Sequence, residues 1–205
     1  MTSTPKSAAE TFAPGLFRGR TVLVTGGGRG IGRATALGFA ELGADVAIAA
    51  RDADNLGKTL DDFLSIGVRA TSFVADIRNT ESVEALRTHV MGELGKLDFL
   101  INNAGGQFPA RPSQISDRGF RAVVDLNLHG TWNMMSRFVP DLVAAGDGAI
   151  VNVVHNQVGE RGAPLFLHSG AARAGVVNMT RTAALYLAHR GVTVNALAPG
   201  PVDTQ

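Results

Sequence analysis

Thr25 to Gly32 reads TGGGRGIG, and no other stretch constrains the fold so tightly. It follows Thr21-Val22-Leu23-Val24, an apolar run that reads as a buried parallel strand. It precedes Arg33 to Leu42, which reads as a helix. A glycine-rich turn between strand and helix lets backbone N–H groups and the positive helix end approach a pyrophosphate. A side chain on Gly26, Gly30 or Gly32 would block the turn, the phosphate approach or the helix–strand packing. Gly26, Arg29, Gly30, Ile31 and Gly32 are therefore expected to hold a dinucleotide.

The pattern alternates strand and helix along the chain. Strands are expected at Thr21–Thr25, Asp45–Ala50, Ala70–Val74, Leu97–Asn102, Ala149–Val154 and Val192–Leu197. Helices are expected at Ile31–Leu42, Ala53–Ser65, Glu81–Leu94, Asp117–Ala145 and His168–His189. Gly43, Gly67, Gly95, Gly146 and Gly191 stand where helices should stop. Strict β–α alternation implies an α/β fold with a doubly wound parallel sheet. Residues 1–16 are expected as a mobile N-terminal tail, and 17–205 as one dinucleotide-binding domain.

Composition narrows the function classes. The 205 residues are 45% apolar and 18% charged, which suits one soluble domain with a large core. A net charge of +1 gives no electrostatic case for nucleic acid or a membrane surface. Without cysteine there is no disulfide, thiolate nucleophile or cysteine metal site. The histidines His89, His129, His155, His168 and His189 lack metal-ligand spacing, so no metal is expected. No apolar run is long enough to span a bilayer. Met1 to Pro14 is polar and has no secretory apolar core, so the expected location is cytoplasmic.

The second strand ends Ala49-Ala50-Arg51. An acidic residue there would bind a ribose 2′-hydroxyl; a guanidinium instead suits a 2′-phosphate. Arg29 adds a second cation. Arg51 therefore points to NADPH, with Asp52 keeping NADH as the alternative.

Three further motifs follow at fitting intervals: Asp76-Ile77, Asn102-Asn103-Ala104-Gly105, and Asn195-Ala196-Leu197-Ala198-Pro199-Gly200. With TGGGRGIG they resemble the short-chain dehydrogenase/reductase family, over Phe17 to Thr204. The resemblance implies a Rossmann fold with NAD(P) lying over the strand ends. It places Asp76, with Ile77, at the adenine. Asn103, Ala104 and Gly105 would line the cofactor. Pro199, Gly200 and Thr204 would hold the nicotinamide carboxamide region. Asn127 matches the family's helix asparagine, which supports a water beside the catalytic lysine. The bland alternative is a polar residue that bends the helix and bonds to backbone.

The family's serine, tyrosine and lysine are missing. Ser169 stands at the tyrosine position, Arg173 at the lysine position and His155 at the serine position. The single tyrosine, Tyr186, lies 17 residues beyond Ser169 on the same predicted helix, roughly 25 Å along its axis at about 1.5 Å per residue. Hydride delivery to a ketone leaves an alkoxide that needs a proton at once. Serine is a poor acid, and arginine stays charged and cannot relay protons, though it can anchor the ribose.

Hydride delivery to the β-carbon of an enoyl thioester makes an enolate instead. Oxyanion donors suffice for it, and water can protonate the α-carbon. Ser169, His155, Asn156 and His129 are candidate donors. Ser169 and Arg173, as i and i+4, share one helix face. Phe12-Ala13-Pro14-Gly15-Leu16, Gly105-Gly106-Gln107-Phe108 and the His168–Val176 segment resemble the peroxisomal trans-2-enoyl-CoA reductase branch. The related dienoyl-CoA reductases also carry serine at the Ser169 position. The resemblance implies NADPH-dependent reduction of a 2-enoyl-CoA thioester in fatty acid metabolism. Reduction of another carbonyl substrate, or a non-catalytic dinucleotide-binding role, are the alternatives. In dienoyl reductases a tyrosine enters from the loop before this helix; here the aligned position is near Val158.

Family members usually continue through a seventh strand and a substrate-covering lid, so the sheet is expected to be truncated after its sixth strand, with Val192–Leu197 at an edge. Pairing through the long helices implies a homo-oligomer, dimer or tetramer.

Overall fold

The computed structural model describes residues 7–156 and 162–204. The expectation about Val158 therefore lies outside the described residues.

Six parallel strands form one sheet: β1 Thr21–Thr25, β2 Asp45–Ala50, β3 Ala70–Val74, β4 Phe99–Asn102, β5 Ala149–Val153 and β6 Thr193–Leu197. Their spatial order is β3-β2-β1-β4-β5-β6. Leu23 of β1 lies opposite Ala47 of β2 on one side and Leu100 of β4 on the other. The chain reverses direction across the sheet between β1 and β4, and a crevice opens over the strand ends at such a switch point.

Helices α2 (Gly30–Glu41) and α3 (Ala53–Ile66) cover one face. Helices α4 (Thr80–Leu94), α6 (Gly130–Ala145) and α7 (Leu167–Leu187) cover the other. Both faces of β1 are therefore buried, and its centre, Val22 to Val24, is continuously apolar. Leu23 packs into one core with Leu86, Val90, Phe138 and Leu142. Val22 and Val24 pack into the other with Ala36, Ala40, Leu56 and Phe63.

Two stretches differ from the sequence reading. The segment expected as a mobile tail contains a helical turn, α1 (Ala8–Thr11), closed by a Ser7–Glu10 capping box. The N–H groups of Ala8 and Ala9 donate to the Glu41 carboxylate at 3.0 and 3.4 Å, tying the turn to the end of α2. The long helix expected over Asp117–Ala145 is interrupted. α5 (Asp117–Val124) passes through a π-helical turn, Asp125–His129, into α6. The buried Asn127 carboxamide donates to Val123 O at 2.8 Å, and Thr131 Oγ1 donates to Asn127 O at 2.8 Å. Such one-turn widenings occur where side chains intrude on the helical ladder, often at functional sites.

Candidate active site

The turn after β1 brings four chain segments together. Gly26 has φ +66°, and a Cβ there would lie 2.8 Å from Asn103 Nδ2. A Cβ on Gly32 would lie 2.2 Å from Gly26 O, so α2 meets the turn through bare backbone. Asn103 closes the other side, donating from Nδ2 to Thr25 O at 3.0 Å. The N–H groups of Asn103 and Ala104 both donate to Thr25 Oγ1 at 3.0 Å. The ends of β1 and β4 are thus stitched side by side.

Side chains cap α3 (Asp52), α4 (Asn79) and α5 (Ser116). The N-cap of α2, Arg29, makes no capping bond. The first N–H groups of α2 therefore remain available where the helix meets the cleft, as a pyrophosphate requires. The cleft encloses about 450 Å³. Gly26, Arg29, Gly30, Ile31, Arg51, Asp76, Ile77, Asn103, Ala104, Gly105 and Thr204 line it, joined by Asp52, Asn55 and Leu126. Of the residues expected to hold the cofactor, Gly32, Arg173, Pro199 and Gly200 lie outside that lining. A Cβ on Gly200 would come within 3.6 Å of Asn156 Nδ2, so the segment after β6 approaches the segment after β5. The chemistry of these groups fits a dinucleotide.

At the adenosine end, Asp52 is occupied. Its carboxylate accepts from Asn55 N at 3.1 Å and Asn55 Nδ2 at 2.7 Å. These bonds, the backbone one foremost, hold its carboxyl below the usual range. Arg51 is exposed and makes no ion pair among the described residues. Asp76 is gripped by Arg78, which the sequence reading did not single out. Arg78 Nε lies 2.9 and 3.1 Å from the two carboxylate oxygens. That grip is the main reason the Asp76 carboxyl stays below its usual range.

The residues proposed for catalysis gather beyond Gly105. α7 carries Ser169 and Arg173 on its buried face, and Asn152 of β5 anchors that helix through Thr180 Oγ1 at 2.9 Å. Ser169 is 1% exposed and Arg173 8% exposed. Arg173 donates to Val153 O at 2.7 Å and forms no ion pair among the described residues. Burial pushes its guanidinium down to about 10. Gly105 lies against it: a Cβ there would sit 2.0 Å from the guanidinium and 2.7 Å from Asn127 Oδ1. Asn127 pins the neighbouring loop residue, donating to Gly106 O at 2.7 Å and accepting from Gly106 N at 3.3 Å. Its amide is thus bonded to backbone, while its position still fixes the loop over Arg173.

Ser169 Oγ donates to Gln107 Oε1 at 2.5 Å. Gln107 belongs to the Gly105–Phe108 motif, and nothing in its spacing marks it as a partner of a serine 62 residues away. His155 is half-buried; burial first, then the Arg173 charge, holds it below the usual histidine range. His129, considered as a donor, is exposed and pairs with Asp125 at 2.9 Å. Tyr186 is 62% exposed and lies under the Arg190 guanidinium, away from the site. Among the described residues, no group of acidic or histidine side chains could hold a metal ion. None of the described helices is long and apolar enough to cross a membrane.

The parallel sheet with strand order β3-β2-β1-β4-β5-β6 and a glycine turn at its switch point defines a Rossmann fold. The chain belongs to the short chain dehydrogenase family, whose model matches residues 20–205. It is similar to the citronellol catabolism dehydrogenase AtuB of Pseudomonas aeruginosa PAO1, at 43% identity and a TM-score of 0.86, over 92% of this chain and 77% of that one. An uncharacterised oxidoreductase of Caenorhabditis elegans is 38% identical over 98% of this chain. This chain spans 65% of the length of that relative. A probable 2,4-dienoyl-CoA reductase of the same organism is 34% identical over 98% of this chain and 66% of its own length.

Proposed function

We propose that the chain binds NADPH and belongs to an oxidoreductase that reduces the C=C bond of a 2-enoyl-CoA thioester. One observation carries the reading: buried Ser169, bonded to Gln107, and buried Arg173 stand where a phenol and an amine would serve ketone reduction. When bound, the reduced dinucleotide supplies the hydride. The open N–H groups at the start of α2 receive its pyrophosphate, and Arg51 receives the ribose 2′-phosphate. Asn103, Ala104, Gly105, Pro199, Gly200 and Thr204 border the nicotinamide half, and Asp76 with Ile77 the adenine.

The site residues answer for charge on the thioester oxygen. Arg173 keeps its charge at every physiological pH and supplies a fixed positive potential. The Ser169 hydroxyl holds Gln107 Oε1, which leaves the Gln107 amide N–H groups for a substrate oxygen. His155, held neutral near pH 7, offers a second polar contact. Asn127 keeps Gly105 and Gly106 in place over this group. The α-carbon takes its proton from water.

The test is loss of 340 nm absorbance when purified protein meets NADPH and crotonyl-CoA. Bound NADPH with no loss of absorbance overturns the reduction. A second reading, reduction of another carbonyl substrate, draws on the 43% identity to a citronellol catabolism dehydrogenase. Ketone turnover that survives Ser169→Ala would favour it. NADPH binding with no turnover of either substrate would favour a non-catalytic role. A cytoplasmic homo-oligomer, dimer or tetramer, completes the proposal, and sedimentation of the purified protein tests the assembly.

A further inference from the structure

Four charged side chains line the cleft: Arg29, Arg51, Asp52 and Asp76. Two cations against two anions leave a groove with no net charge, and such a groove gives a phosphate little reason to prefer it. Asp76 is the sharper difficulty. Its carboxylate lies within electrostatic reach of Arg51. Left bare, it would compete for the Arg51 guanidinium and repel a phosphate brought alongside.

Arg78 removes that difficulty from outside the cleft lining. Its guanidinium spans both carboxylate oxygens, with the terminal amine 2.5 Å from Oδ2 and Nε 2.9 Å from Oδ1. The Arg78 backbone N–H adds a bond of 3.0 Å to Oδ1. The pair is held from both sides. Ser82 Oγ accepts from Asp76 N at 3.1 Å. The buried Asn133 amide donates to Ile77 O at 2.9 Å and to Arg78 O at 3.3 Å. With Asp76 masked, Arg51 has no ion-pair partner among the described residues, and the rim carries a net positive charge.

We infer that Arg78 is a positioning residue for cofactor choice: by covering the Asp76 carboxylate it leaves Arg51 free for a phosphate on the ribose 2′ position. This deepens the NADPH reading above and rests on it. Arg78 acts through Asp76 and needs no contact with the cofactor.

The test is titration of the purified protein with NADPH and with NADH, followed by calorimetry. Arg78→Ala should weaken NADPH roughly tenfold relative to NADH, the order expected for removing a nearby unit charge from a mostly aqueous groove. Retained NADH affinity shows that the variant is folded. The double variant Asp76→Asn with Arg78→Ala should return the NADPH:NADH ratio to within about twofold of the wild type, because no carboxylate then needs covering. An unchanged ratio in Arg78→Ala overturns the inference. So does a double variant as impaired as Arg78→Ala alone. Should Arg78→Ala not fold, Arg78→Gln and Asp76→Asn carry the same comparison, and Asp76→Asn alone must not lower the ratio. Arg51→Ala separates the two ideas. A ratio that falls with Arg51→Ala but not with Arg78→Ala leaves the NADPH reading standing and removes Arg78. A ratio moved by neither removes both.

Discussion

Arg173→Met should make the ligand-free protein more stable. The guanidinium is 8% exposed and, among the described residues, has one hydrogen bond, to Val153 O, and no carboxylate partner. Burial pushes it from its ordinary range down to about 10. At about 1.4 kcal/mol per tenfold, that corresponds to roughly 3 kcal/mol of unfavourable burial. Losing the bond to Val153 O returns about 1 kcal/mol. The net expectation is a gain of about 2 kcal/mol, in line with apolar replacement of uncompensated buried charge. For a chain of this length that is a rise of roughly 5 °C in Tm. The pH dependence is also fixed. A cation whose folded pKa is depressed costs stability at every pH below that folded value, and the cost is relieved only as pH rises past about 10. From pH 6 to 9 the guanidinium is charged in both states, so the gain should be flat. Urea denaturation followed by circular dichroism across pH measures it. A variant that is less stable than wild type at pH 7, or a gain that varies between pH 6 and 9, would refute the reasoning.

Gly105→Ala should cost about 1–3 kcal/mol, because its Cβ would lie 2.0 Å from the Arg173 guanidinium and 2.7 Å from Asn127 Oδ1. A melting temperature within 1 °C of wild type would contradict it. Acid should loosen the opposite end of the sheet. Asp98 is 2% exposed; burial raises its carboxyl pKa, but the Thr21 N–H at 2.7 Å, Lys96 and Arg20 outweigh it and hold it below the usual range. A carboxylate with a depressed folded pKa contributes stability that is full above its unfolded value near 3.9 and is lost as pH falls through the folded one. Asp98→Asn should therefore lower stability at pH 7 and flatten the acid limb below about pH 4, as read by urea midpoints across pH. An acid limb of unchanged steepness would assign it to other carboxylates.

How far the sequence reached depended on the range of the interaction being read. The β–α alternation and TGGGRGIG are local signals, set by which faces are buried and by where a side chain cannot fit. They anticipated the strand positions closely, and they anticipated that a side chain on Gly32 would obstruct the packing of α2 against the turn. The π-helical turn at Asp125–His129 was not legible. The apolar spacing of Asp117–Ala145 is that of one helix, and the interruption comes with the Asn127 and Thr131 side-chain bonds to backbone oxygens. Gln107 and Arg78 were missed for a related reason. Each is an ordinary polar residue until folding sets it beside its partner, Ser169 in the first case and Asp76 in the second. The same holds for the charge on the cofactor rim. Arg51 could be read as a candidate phosphate ligand from its place at the end of a strand, but the pairing of the nearby Asp76 with Arg78 could not. That is a property of a side-chain pair, and the identity of the strand-end residue does not determine it. Selectivity arguments that stop at the strand-end residue therefore omit the ion pairs beside it, and here the arginine of such a pair is two positions from the aspartate it covers.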